Sequence, residues 1–146
     1  MPFHSDHPDA TYLLWQCLAE GTEDECTTLL DTKPVLKQLD AKTLRTLESI
    51  QVPFPIGFLG EGYASRALLS DNGRSIYFCP WYLTELTPEQ SEAVDLFYGC
   101  LMEQEVIQIH LKKNEILLID NRRLLHGRTA LRSDSPRHLK RFWIAS

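Results

Sequence analysis

Apolar residues along this chain fall mostly in short runs of strand length, separated by polar, turn-rich stretches. Thr11 to Ala19 is the first such run, a buried strand closed by the polar sequence Glu20-Gly21-Thr22-Glu23-Asp24-Glu25. Cys26 to Leu30 reads as a short strand. Lys33-Pro34 then opens a helix whose apolar positions Val35, Leu36, Leu39, Leu44 and Leu47 recur at helical spacing, with an end near Ser49. Two prolines and a glycine between Val52 and Gly57 predict an extended connection or an edge strand. Tyr63 to Leu69 and Ser75 to Phe78 flank Asp71-Asn72-Gly73, whose residues tolerate positive φ, so a hairpin is expected there.

Thr87-Pro88-Glu89-Gln90 is the clearest helix start: Thr at the N-cap, Pro at the first helical position and Gln three residues past the cap. Val94, Phe97, Tyr98, Leu101 and Met102 share one face of that helix. Val106 to Leu111, Ile116 to Ile119 (read as buried) and His138 to Ile144 complete the strands. Short strands around two helices predict a mainly β domain, a jelly roll with two flanking helices.

Composition narrows the function classes. One domain fits the 146 residues, and 43% hydrophobic content supports a sizeable core. A formal charge of −5 argues against a general nucleic-acid binder. No apolar run approaches the ~20 residues of a spanning helix, so no membrane role is expected. The N-terminal residues carry no secretory pattern, and a cytoplasmic location is the expectation. Cys17, Cys26, Cys79 and Cys100 form no Cys-x-x-Cys pair and read as reduced thiols. The aromatic residues Trp15, Phe97, Tyr98 and Trp143 are expected in the core, while the cluster from Tyr77 to Tyr82 is a candidate pocket wall.

Chemistry concentrates in three separated pieces. His4-Ser5-Asp6 places an imidazole and a carboxylate two residues apart, on one face of an extended chain. His126 follows a strand, within Asp120-Asn121-Arg122-Arg123-Leu124-Leu125-His126-Gly127-Arg128. One carboxylate and two histidines form the facial triad of non-haem Fe(II) oxygenases, which leaves coordination positions open. The third piece is Arg137-His138-Leu139-Lys140-Arg141-Phe142-Trp143-Ile144.

In these pieces the sequence resembles the taurine dioxygenase-like family of iron(II)- and 2-oxoglutarate-dependent dioxygenases. His4-Ser5-Asp6-His7-Pro8 is similar to its His-x-Asp segment, the stretch around His126 to its distal histidine motif, and the last strand to the one carrying its 2-oxoglutarate arginine. The resemblance implies a distorted double-stranded β-helix lacking the family's N-terminal region, since only three residues precede His4. It makes His4, Asp6 and His126 the catalytic Fe(II) ligands, and Arg137, 11 residues after His126, the clamp for 2-oxoglutarate. Arg141 is implied as a helper to the cofactor or a grip on an anionic substrate group, and Thr28, with Thr27 as its neighbouring candidate, as a hydroxyl partner of the cofactor carboxylate.

The implied reaction consumes O₂ and 2-oxoglutarate, releases CO₂ and succinate by decarboxylation, and hydroxylates an unactivated C–H bond of a small molecule, such as an amino acid or another small carboxylate or sulfonate. By the same resemblance the Asp6 carboxylate implies hydroxylation rather than halogenation, since the family's halogenases lack it. Two alternatives stand beside this reading: a non-catalytic jelly-roll binding or assembly subunit, and a cupin-type hydrolase or isomerase, against which Arg137 argues. Because a jelly roll without its first strand exposes an edge, self-association or pairing with a complementing chain is also expected.

Overall fold

The computed structural model describes residues 2–57 and 62–145. Strand β1 (Tyr12–Ala19) is the centre of one antiparallel sheet, flanked by β10 (His138–Ile144) and β8 (Ile116–Asp120). Strand β2 (Thr27–Asp31) is the centre of a second, between β7 (Ile107–Ile109) and β9 (Leu124–Arg128). Leu13 and Trp15 of β1 meet Leu29 of β2 and Ile119 of β8 in one buried cluster, so the two sheets face each other as the layers of a jelly roll. Fully burying side chains of this size is worth about 1.5–3 kcal/mol each.

Strand alternation gives β2 and β9 two faces with different duties. Leu29 and Leu124 point between the sheets, whereas Leu30 and Leu125 join the larger cluster beneath the helices. That cluster is completed by α1 (Thr32–Leu36), α2 (Ala41–Ser49) and α3 (Pro88–Met102), by the hairpin β3 (Gln51–Ile56) with β4 (Gly62–Ala67), and by the short pair β5 (Leu69–Ser70) with β6 (Ser75–Ile76).

Two readings from the sequence change. The helix expected from Lys33 to Ser49 is two helices, because Asp40 leaves helical geometry and caps α2, its side chain accepting from the Thr43 N–H at 2.7 Å. The described residues therefore form three α-helices rather than two. Ile116 to Ile119 is not buried throughout: Ile119 is inside, but Ile116 and Leu118 are each 59% exposed on the outer face of the sheet. The Thr87 start of α3 is observed as expected, with both hydrogen bonds of the capping box. No helix among the described residues is long and apolar enough to cross a membrane.

Candidate metal centre

His4 lies along the β9 edge of the second sheet rather than on a free arm. Its main chain pairs with that of His126, N–H to carbonyl in both directions at 3.0 and 2.9 Å. On the other side the Ser5 N–H donates to the Phe78 carbonyl at 2.8 Å, and the Ser5 hydroxyl accepts from the Phe78 N–H at 3.2 Å. Asn121 fixes the next stretch, its Oδ1 accepting from the Asp6 N–H at 3.0 Å and its Nδ2 donating to the carbonyls of His7 and Ala10. This backbone pairing sets both imidazoles side by side, with ring centroids 4.3 Å apart.

Asp6 closes the group. One ligand atom from each of His4, Asp6 and His126 lies within 4.8 Å of the others. Asp6 Oδ1 is 3.3 Å from His126 Nε2 and 3.9 Å from His4 Nε2. His4 Nδ1 lies 2.9 Å from the Pro2 carbonyl. A carbonyl only accepts, so Nδ1 carries the proton and Nε2 turns its lone pair toward Asp6. His126 is fully buried, and neither of its ring nitrogens has a hydrogen-bond partner among the described residues. Buried polar atoms normally find partners, and an imidazole left without one beside a second imidazole and a carboxylate fits a divalent metal with nitrogen and oxygen ligands.

Burial, then the neighbouring His126, lowers His4 to a pKa of about 4. Burial alone would raise Asp6, yet His126, Arg141 and the Trp143 N–H outweigh it and bring the carboxyl down to about 2.

Arg137 stands further along the same interior. Its Nη2 donates to the Thr27 hydroxyl at 2.8 Å, and burial lowers its pKa. Thr27 is the threonine that Arg137 meets. Thr28 is one residue on, and alternation puts its side chain with Leu30 on the helix-facing side. Leu29 pairs with His126, so Thr27 sits two residues, about 7 Å, along the strand from the imidazoles' register position. Arg141 occupies the mouth, with its guanidinium 4.3 Å from the Trp15 ring and Nη1 3.4 Å from Asp6 Oδ1. His7, Phe54, Tyr77, Trp81 and Trp143 wall a cavity of about 170 Å³ that opens on His4 and Asp6, and Asp6, Arg141 and Trp143 border a wider one of about 440 Å³.

Residues 1–143 match the family model described as taurine catabolism dioxygenase TauD, TfdA family. The chain belongs to this family. No curated protein matches the sequence. Among solved structures, an asparagine oxygenase in complex with Fe(II), hydroxyasparagine and succinate superposes with a TM-score of 0.77 at 21% identity, over 98% of this chain and 49% of its own. A non-heme iron oxygenase, OrfP, in complex with Fe superposes at 0.76 and 20% identity, over 99% and 50%. These likenesses establish the jelly-roll fold, and the chain spans about half the length of the solved structures it matches.

Within this TauD/TfdA-family chain, two residues outside the motifs hold Arg137 in place. Glu25 is 1% exposed, and its carboxylate accepts from the Arg132 N–H at 2.7 Å, the Ser135 hydroxyl at 2.6 Å and the Thr22 N–H at 3.0 Å. Ser135 in turn accepts from the Arg137 N–H at 3.2 Å. Gly21 leaves room for this knot: a Cβ there would run into Glu25 Oε2 and lie 3.1 Å from Arg137 Cβ. Gly21→Ala should therefore push the carboxylate off its donors and lower the melting temperature. An unchanged value would show that the loop tolerates displacement.

The shifted imidazole gives a pH prediction. Below its ordinary value of 6.5 an unfolded His4 takes a proton that the folded one refuses until about pH 4, so metal-free protein loses stability as pH falls through that window. Melting temperatures in chelator should fall as pH drops from about 6.5 to about 4. His4→Gln should flatten the drop, and an equal slope in both proteins would contradict the burial of a neutral imidazole.

Proposed function

We propose that this chain carries the Fe(II)- and 2-oxoglutarate-binding centre of a dioxygenase that hydroxylates a C–H bond of a small molecule. The observation that supports this most directly is the pairing of two groups in one interior: three metal-type donors within 4.8 Å, and a half-buried guanidinium on a threonine hydroxyl about 7 Å along the strand. A five-carbon dicarboxylate spans that interval, with its keto-acid end toward the imidazoles and its distal carboxylate on Arg137 and Thr27.

His4, Asp6 and His126 would hold the iron, which when bound supplies the site for O₂ and co-substrate activation. The protein's own work is then positional. Arg137 and Thr27 orient the co-substrate, Trp15 and Leu29 exclude water from the interior, and Arg141 offers a charge to the substrate at the mouth. The asparagine oxygenase structure named above contains hydroxyasparagine, and a further OrfP complex contains hydroxyarginine. With the cationic Arg141 at an aromatic-walled entrance, they support a small amino acid as the substrate class. The exposed apolar residues Leu118, Ile116 and Phe142 on the outer face of the first sheet support association with a second copy or a complementing chain.

The test is conversion of 2-oxoglutarate to succinate by the parent protein supplied with Fe(II), O₂ and a panel of amino acids. Succinate that depends on iron and on Arg137 supports the enzyme reading. Tight binding of Fe(II) and 2-oxoglutarate without succinate, at any protein concentration, would instead identify a binding subunit.

A further inference from the structure

Trp143 is a large aromatic residue left 59% exposed, yet its one polar atom is engaged: Nε1 donates to Asp6 Oδ2 at 3.1 Å. Its placement follows from the last strand. Leu13 pairs with Trp143 and Trp15 with Arg141, so the alternation of β10 turns Leu139, Arg141 and Trp143 to the interior and Lys140, Phe142 and Ile144 outward. The indole also lies against the His7 ring, with centroids 5.2 Å apart and planes tilted by 30°.

The two oxygens of Asp6 are consequently in different situations. Oδ1 faces His126 Nε2 at 3.3 Å, His4 Nε2 at 3.9 Å and Arg141 Nη1 at 3.4 Å. Oδ2 faces the indole. A free carboxylate offers either oxygen, or both, to a cation. One whose second oxygen accepts a charge-assisted hydrogen bond is held in one rotamer and offers only the first.

We propose that Trp143 is a positioning residue that keeps Asp6 a one-oxygen ligand. This rests on the metal-centre reading above and goes beyond it, by assigning the carboxylate's binding mode to a residue outside the donor set. The consequence for the site is specific. An Asp6 that chelated through both oxygens would fill a coordination position that a dioxygenase needs for co-substrate or O₂.

The test uses Co(II) in place of iron, under anaerobic conditions, with affinity and visible absorption as the two readouts. Trp143→Phe keeps an aromatic ring against His7 and removes the donor, while Trp143→Gln keeps an N–H donor and removes the ring. If the hydrogen bond is what matters, Trp143→Phe weakens Co(II) binding by about tenfold or more. Its absorption also changes in intensity, as the released Oδ2 raises the coordination number, and Trp143→Gln stays within about threefold of the parent. A Trp143→Phe protein with parental affinity and spectrum overturns the proposal, as does an equal loss in both variants, which would place the effect in the packing of the whole indole rather than in its hydrogen bond. The two levels are separable. A parent protein that binds no Co(II) refutes the metal centre itself, whereas a parent that binds and a Trp143→Phe protein that matches it refute only the role of Trp143.

Discussion

Asp6→Ala protein, reconstituted with Fe(II) and dialysed, should retain almost no iron. Loss of an outer partner of a metal ligand costs about 10–100-fold in affinity, and loss of the ligand should exceed that range, at roughly 100-fold or more. Asp6 is also the only carboxylate among the three donors. Without it, two neutral imidazoles would meet a dication beside the uncompensated guanidinium of Arg141, 3.4 Å from where Oδ1 stood. The loss should be local. The main chain of this segment is held by Asn121 and Phe78 through bonds that do not involve the Asp6 side chain. Metal analysis beside a melting curve separates the two effects, and normal iron content in the variant would sink the assignment of Asp6.

Arg137→Ala should bind 2-oxoglutarate at least 30-fold more weakly. A charge-assisted contact to a carboxylate in a partly desolvated site is worth about 2–5 kcal/mol when one partner is truncated. The same anaerobic titration discriminates the threonines. Thr27→Val removes the hydroxyl on which Arg137 rests and should weaken binding, whereas Thr28→Val, on the helix-facing side of the strand, should not. Arg141→Ala should matter less for 2-oxoglutarate, because its guanidinium lies at the mouth over Trp15. If Arg137→Ala binds within about threefold of the parent while Arg141→Ala does not, the two arginines have exchanged roles.

What the sequence made legible was local chemistry. His-x-Asp on an extended segment, a histidine at the end of a strand and two arginines four residues apart are patterns in which spacing fixes the face, and the structure brings all of them to one interior. Strand phase was harder. Alternation says that only one of Thr27 and Thr28 faces inward, but two adjacent threonines carry no hydrophobic contrast to say which. Ile116 and Leu118 misled for a related reason, since an apolar run has no polar positions to mark its solvent side. The break at Asp40 was visible only as a gap in the apolar spacing between Leu39 and Leu44.

Residues that work through distant partners left no local trace. Glu25 closes a polar run that reads as a solvated loop, yet it is buried because its donors come from Arg132 and Ser135, more than a hundred positions away. Asn121 stands in the turn between β8 and β9, and nothing in its neighbours shows that its side chain also clamps the segment from Asp6 to Ala10. Trp143 was expected in the core, as an aromatic residue on an apolar strand, and stands exposed at the mouth with its N–H on Asp6.

Whether one interior of this chain binds Fe(II) and 2-oxoglutarate together is decided by anaerobic titration of the parent protein with Fe(II) and then 2-oxoglutarate, following the weak visible charge-transfer band of the iron chelate. The expected band needs both components, saturates at one iron per chain, and is lost in Asp6→Ala and at the same 2-oxoglutarate concentration in Arg137→Ala. Iron binding with no band at any 2-oxoglutarate concentration, or a band of parental strength in Arg137→Ala, would contradict that joint binding.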